Sequence, residues 1–174
     1  MTPEPIYVID SDVFISAKNG YYAFMICPGF WDSLIHHHEQ GRLHSLDRVQ
    51  QELLAGRKDE DLVQWVKNDV PDGFFRSSQD ADVIRAYQDI MLWVQRNQQY
   101  VDNAKAKFAT EADGWLVAYA CVTGVDVVTN EQPRPEARGR ILLPDVCNQF
   151  GVRFHDTFAM LRSLHVRYDF ARES

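Results

Sequence analysis

With 174 residues, 45% of them hydrophobic and 25% charged, the chain is long enough to bury a core and is most economically one domain, 1–174. No apolar run approaches the roughly 18 residues of a membrane span, and Met1-Thr2-Pro3-Glu4-Pro5 lacks the basic start of a signal peptide, so a cytoplasmic protein without a membrane is expected. A net charge of −7 argues against a protein that coats duplexes through a basic surface, but it agrees with carboxylates gathered around a divalent cation.

Ile6-Tyr7-Val8-Ile9 is a β-prone run ending at Asp10, the first predicted strand. Residues 20–29 read as irregular with a Pro28-Gly29 turn, and a helix is predicted over 31–40, closed by Gly41. Residues 43–46 form a brief strand. Asp47 reads as the N-cap of a helix that carries Val49, Leu53 and Leu54 and stops at Gly56. Leu62, Val63 and Val66 suit another helix, which Pro71-Asp72-Gly73 breaks. From Asp80 onward Val83, Tyr87, Ile90 and Val94 recur at helical spacing and predict a long amphipathic helix, followed by one over 100–108. Residues 112–120 are helical and apolar on nearly every side, which predicts packing on more than one face before Gly124 ends the helix. Residues 125–129 read as a buried strand, 141–144 and 152–154 as short strands, and 156–164 as a last helix. Strands alternating with helices predict an α/β fold on a mainly parallel sheet. In such sheets the ligand site lies beyond the carboxyl ends of the strands.

Two of those ends carry acid. Asp10 closes an apolar strand, where a strand buried on both faces would prefer an apolar residue; an Asx-turn or helix cap is the competing explanation. Glu131 follows the strand over 125–129 in the segment Thr129-Asn130-Glu131. Glu52 lies three residues after Val49, beside the inward stripe of its helix. Asp113 opens the apolar helix, where it would also be favoured by the helix dipole. Any one of these is ordinary. Brought together they would repel one another and take up protons unless a divalent cation neutralised them. Oxygen-only ligation selects Mg²⁺ or Mn²⁺, and such an ion can activate water against a phosphodiester.

The motifs Tyr7-Val8-Ile9-Asp10-Ser11-Asp12, Val49-Gln50-Gln51-Glu52-Leu53, Ala112-Asp113-Gly114-Trp115-Leu116 and Val127-Val128-Thr129-Asn130-Glu131 together resemble the PIN-domain nuclease family, in order and spacing, over nearly the whole chain. The resemblance is to a poorly characterised prokaryotic branch. It implies a three-layer α/β/α sandwich with a central sheet of four to five strands, and a metal-dependent endoribonuclease with Asp10, Glu52, Asp113 and Glu131 as catalytic metal ligands. It also implies an RNA substrate and a cognate antitoxin protein as partner, with a homodimer as one assembly. Two positions depart from the family pattern. Glu131 stands where Asp is usual, and Asp12 where Ser, Thr or Asn is usual.

Around these acids, Asp12, Thr129, Asn130 and Asp145 are candidates for supporting the ligands. Arg134 and Arg138, with Arg140, form a basic loop that could hold substrate phosphates. His36-His37-His38 is set aside, because consecutive helical residues point about 100° apart and cannot all ligate one ion. Cys27, Cys121 and Cys147, odd in number and far apart, read as buried small hydrophobes rather than a disulfide framework or zinc site. Two other readings compete with the nuclease. One is a phosphatase of the haloacid dehalogenase type with Asp10 as nucleophile, although no lysine follows Thr129. The other is a PIN-like module that binds RNA or protein without cutting.

Overall fold

The computed structural model describes residues 2–173. In chain order the elements are β1 (Tyr7–Ile9), α1 (Ser11–Asn19), α2 (Pro28–Glu39), β2 (Leu43–Leu46), α3 (Asp47–Leu54), α4 (Asp61–Asn68), β3 (Phe75–Arg76), α5 (Ala81–Arg96), α6 (Asp102–Thr110), α7 (Asp113–Thr123), β4 (Asp126–Val128), α8 (Leu143–Phe150), β5 (Phe154–His155) and α9 (Thr157–Ser163). The five strands form one sheet in the order β3-β2-β1-β4-β5, and every pairing is parallel. Tyr7 lies opposite Leu43 on one side and Asp126 on the other. β1, β2 and β4 are buried along their whole length, as strands covered on both faces must be. Helices on both sides complete an α/β/α sandwich: α1, α3 and α4 pack on one another, and α5, α6 and α8 pack around α7.

The strand order decides where a site can form. The chain builds outward from β1 through β2 to β3, then returns to place β4 on the other side of β1. Loops leaving β1 and β4 therefore diverge in opposite directions and open a crevice above their carboxyl ends. Asp10 and Thr129 are the first residues beyond those two ends.

The helix over 112–120 is α7, and it contacts β4, α5, α6 and α8, which accounts for its apolar surface. Gly114 makes the approach of α5 and α6 possible. A Cβ there would meet the Tyr87 ring at 3.0 Å and the Phe108 ring at 3.2 Å. Residues 57–110 thus supply the cover for α7 through α5 and α6. Gly124 and Gly151 end α7 and α8 in the left-handed region that glycine tolerates.

Several expectations are corrected. Residues 141–144 are not a strand: Pro144 sits in the first turn of α8, where its missing N–H costs nothing, and Leu143, Val146 and Cys147 bury one helical face. Pro28 likewise opens α2 instead of forming a turn. Asp47 is the first helical residue of α3 and Leu46 occupies the cap position; the Asp47 carboxylate accepts N–H bonds from Arg48 and Ser78. α1 and the two-residue β3 had no counterpart among the predicted elements. Of the cysteines, Cys147 is buried, Cys27 half-buried and Cys121 exposed. No helix among the described residues is long and apolar enough to cross a membrane.

Candidate active site

Asp10 has extended backbone geometry and caps α1: its Oδ1 accepts the Ser11 N–H at 2.7 Å. Its Oδ2 accepts the Thr129 hydroxyl at 3.1 Å, and its own N–H donates to Val128 O at 3.0 Å. In the first turn of α1, Asp12 accepts the Asn130 N–H at 3.1 Å. The end of β1 is thereby stitched to the end of β4, and both carboxylates are held at the switch point. Asn130 in turn accepts the Thr157 N–H and hydroxyl, which anchors α9.

The remaining acids come from the helical layers. Glu52, in the last turn of α3, accepts the Ala112 N–H at 2.7 Å and so fixes the chain entering α7. Asp113 is the first residue of α7. Glu131 accepts the Leu143 N–H at 2.9 Å and pairs with Arg140. Asp10, Asp12, Glu52, Glu111, Asp113 and Glu131 all line one cavity of about 270 Å³, with Arg140 also in its wall. All four predicted ligands are therefore brought to one place. Glu111 was missed; the available signal was an acid two residues before Asp113 at the junction of two helices.

The electrostatics are unfavourable for charge. Asp10 is 3% exposed and Asp113 8%. Burial, and then the neighbouring charges of Asp113, Asp12 and Glu131, hold the Asp10 carboxyl well above the usual carboxylate range. Burial followed by repulsion from Glu131, Glu111, Glu52 and Asp12 does the same at Asp113. Asp12 is raised by burial despite the hydrogen bonds it accepts, and Glu131 by burial against the opposing pull of Leu143 N–H and Arg140. Among the described residues neither Asp10 nor Asp113 has a cationic partner.

The supporting candidates divide. Thr129, Asn130 and Asp12 hold the cluster. Asp145, in the first turn of α8, accepts the Arg134 N–H at 3.0 Å and fixes the loop instead of facing the acids. Arg134 and Arg138 are exposed and lie outside the cavity wall, so of the basic loop only Arg140 reaches it. His36, His37 and His38 form no metal site, and His44 is buried with its Nε2 against the Tyr119 hydroxyl at 2.9 Å.

Among the described residues no three His, Cys, Asp or Glu side chains are arranged as a ready-made metal cage, and this includes the acidic cavity. Both oxygens of Glu131 and one of Glu52 accept from protein donors. The donor chemistry still suits a hard divalent cation, being oxygen alone with two buried carboxyls that lack a counter-charge.

Fold and cavity together define an α/β protein with a carboxylate pocket at the switch point of a parallel sheet. Residues 7–168 match the family described as Domain of unknown function (DUF4411), and the chain belongs to it. No curated protein matches the chain.

Proposed function

We propose that this chain is a metal-dependent endoribonuclease of PIN-like layout, hydrolysing RNA phosphodiester bonds in the acidic cavity. One observation carries the reading: carboxylates from four separate chain segments converge where the sheet order reverses, and the two most buried form no ion pair among the described residues. Burying unpaired charge is costly, and carboxyls gathered in this way take up protons unless a cation neutralises them. Asp10 and Asp113 would hold Mg²⁺ or Mn²⁺, with Asp12, Glu52 and Glu131 beside them. Thr129 holds the Asp10 carboxylate in orientation, and Glu52 does the same for the start of α7. Arg140, more than half exposed, can turn from Glu131 to a substrate phosphate. When bound, the ion supplies positive charge to the phosphodiester and lowers the pKa of water. A basic antitoxin segment covering the cavity, in the cytoplasm, belongs to the same reading.

A second reading, a PIN-like binding module without catalysis, is favoured by the engagement of Glu131 with Arg140 and Leu143 N–H. The phosphatase reading finds no lysine in the cavity wall.

The test is cleavage of a mixed pool of structured and single-stranded RNAs with Mn²⁺, Mg²⁺ or chelator, beside the Asp10→Asn protein. Metal-dependent cutting that the variant lacks supports the nuclease. Equal cutting by the folded variant removes the assignment, and no cutting by either, with metal leaving the melting temperature unchanged, moves it to the binding module.

A further inference from the structure

A second cavity of about 290 Å³ lies beside the carboxylates, between α1, the turn that follows it and the start of α9. Ser16 lines both cavities, and Asn130, whose N–H donates to Asp12, lines this one. Its wall is mostly apolar and aromatic. Tyr22 is fixed there, stacked on Phe30 with ring centroids 4.5 Å apart and 5° between planes, its carbonyl accepting the Trp31 indole N–H at 2.8 Å. Phe158 sits 6.4 Å from Tyr22 and is 45% exposed, and Tyr21 is 83% exposed. Phe158 thus lies against a fixed aromatic base, and Tyr21 stands exposed in the same wall.

The chain has 25 acidic against 18 basic side chains, so phosphate neutralisation over a wide surface cannot supply most of its hold on a nucleic acid. Stacking on aromatic rings can, because it needs no charge and every base has a π-face. The cavity lies at the small end of the range of about 300–1,000 Å³ typical of ligand pockets, which suits a fragment the size of a base. A base still paired in a helix could not enter it.

We propose that this cavity is a subsite for one unstacked nucleobase of single-stranded RNA, held against Tyr21 and Phe158 while the adjoining phosphodiester lies at the carboxylates. The proposal rests on the nuclease reading and adds to it a requirement for an unpaired base.

The test compares the full chain's binding to a short fluorescent single-stranded RNA, to its duplex, and to an abasic strand of equal length and charge, with chelator present so that nothing is cut. Cleavage of the same three is then followed with Mn²⁺. The single strand should bind about tenfold or more tighter than the abasic strand. Tyr21→Ala should erase most of that difference, and Tyr21→Phe should keep it. Tyr21 is too exposed for its loss to unfold the chain. Equal binding of single and abasic strands overturns the proposal while metal-dependent cutting leaves the nuclease standing, and it is also the result if the cavity takes a protein segment. Base-dependent binding that Tyr21→Ala removes, without cutting of any strand, keeps the subsite and refutes the nuclease. No binding and no cutting refutes both.

Discussion

Replacing Asp10 by Asn should stabilise the metal-free protein. The carboxyl is almost completely buried and accepts from Ser11 N–H and the Thr129 hydroxyl. The Asn carbonyl can keep the first bond, and the Thr129 hydroxyl can turn to accept from the amide, so the substitution removes charge while leaving the packing. Burial and the charges of Asp113, Asp12 and Glu131 raise the folded-state pKa above its unfolded value. The linked stability is therefore full below about pH 4 and is lost as pH rises through the raised folded value. At pH 8 the variant escapes that loss. Single stabilising substitutions commonly yield about 0.5–2 kcal/mol, or about 1–8 °C in a chain of this size. Thermal unfolding followed by circular dichroism in chelator should show this gain at pH 8 and a smaller one at pH 5. With Mn²⁺ at about a hundred times its dissociation constant, the wild type should gain about 2.7 kcal/mol and the variant much less. A variant that melts below wild type in chelator at pH 8, or is stabilised equally by Mn²⁺, refutes the reasoning.

Two further outcomes follow from the core. Gly114→Ala places a methyl 3.0 Å from the Tyr87 ring and 3.2 Å from Phe108; an overpacking cost of about 1–3 kcal/mol exceeds a helix-propensity gain of up to about 1 kcal/mol, so the melting temperature should fall by several degrees, and an increase would show that Tyr87 gives way freely. Burial, with lesser repulsion from Arg76 and His38, pushes the His44 imidazole down to about 3, so it is neutral when folded and charged when unfolded below the usual 6.5. Its contribution is full above about pH 6.5 and is lost as pH falls toward 3, at up to about 1.4 kcal/mol per pH unit. His44→Gln should flatten the decline of the urea midpoint between pH 6.5 and 5, and an unchanged slope would place the acid sensitivity elsewhere.

The sequence by itself determined the alternation of strands and helices, the long helix α5 from about Asp80 onward, and the two most telling acids. Asp10 was legible because a carboxylate closing an apolar strand breaks the local pattern, and Asp113 because it opens a helix that is apolar all round. Both signals are short-range, so neighbouring residues suffice to read them. Residues 141–144 were not legible, because a short apolar run suits a strand or a buried helix equally; the partners of Leu143, Val146 and Cys147 chose the helix. The two-residue β3 exists through its pairing with β2, to which local propensity contributes little. Only the tertiary structure brought Glu111 to the acids, engaged Glu131 with Arg140, turned Asp145 to the Arg134 loop and set Tyr21 and Phe158 beside the carboxylates. The gathering of Glu111 with the other acids and of Tyr21 with Phe158 joins residues far apart in the chain and depends on the strand order that places β4 against β1. The Glu131–Arg140 and Asp145–Arg134 contacts depend on the path of one loop, which no local pattern encodes.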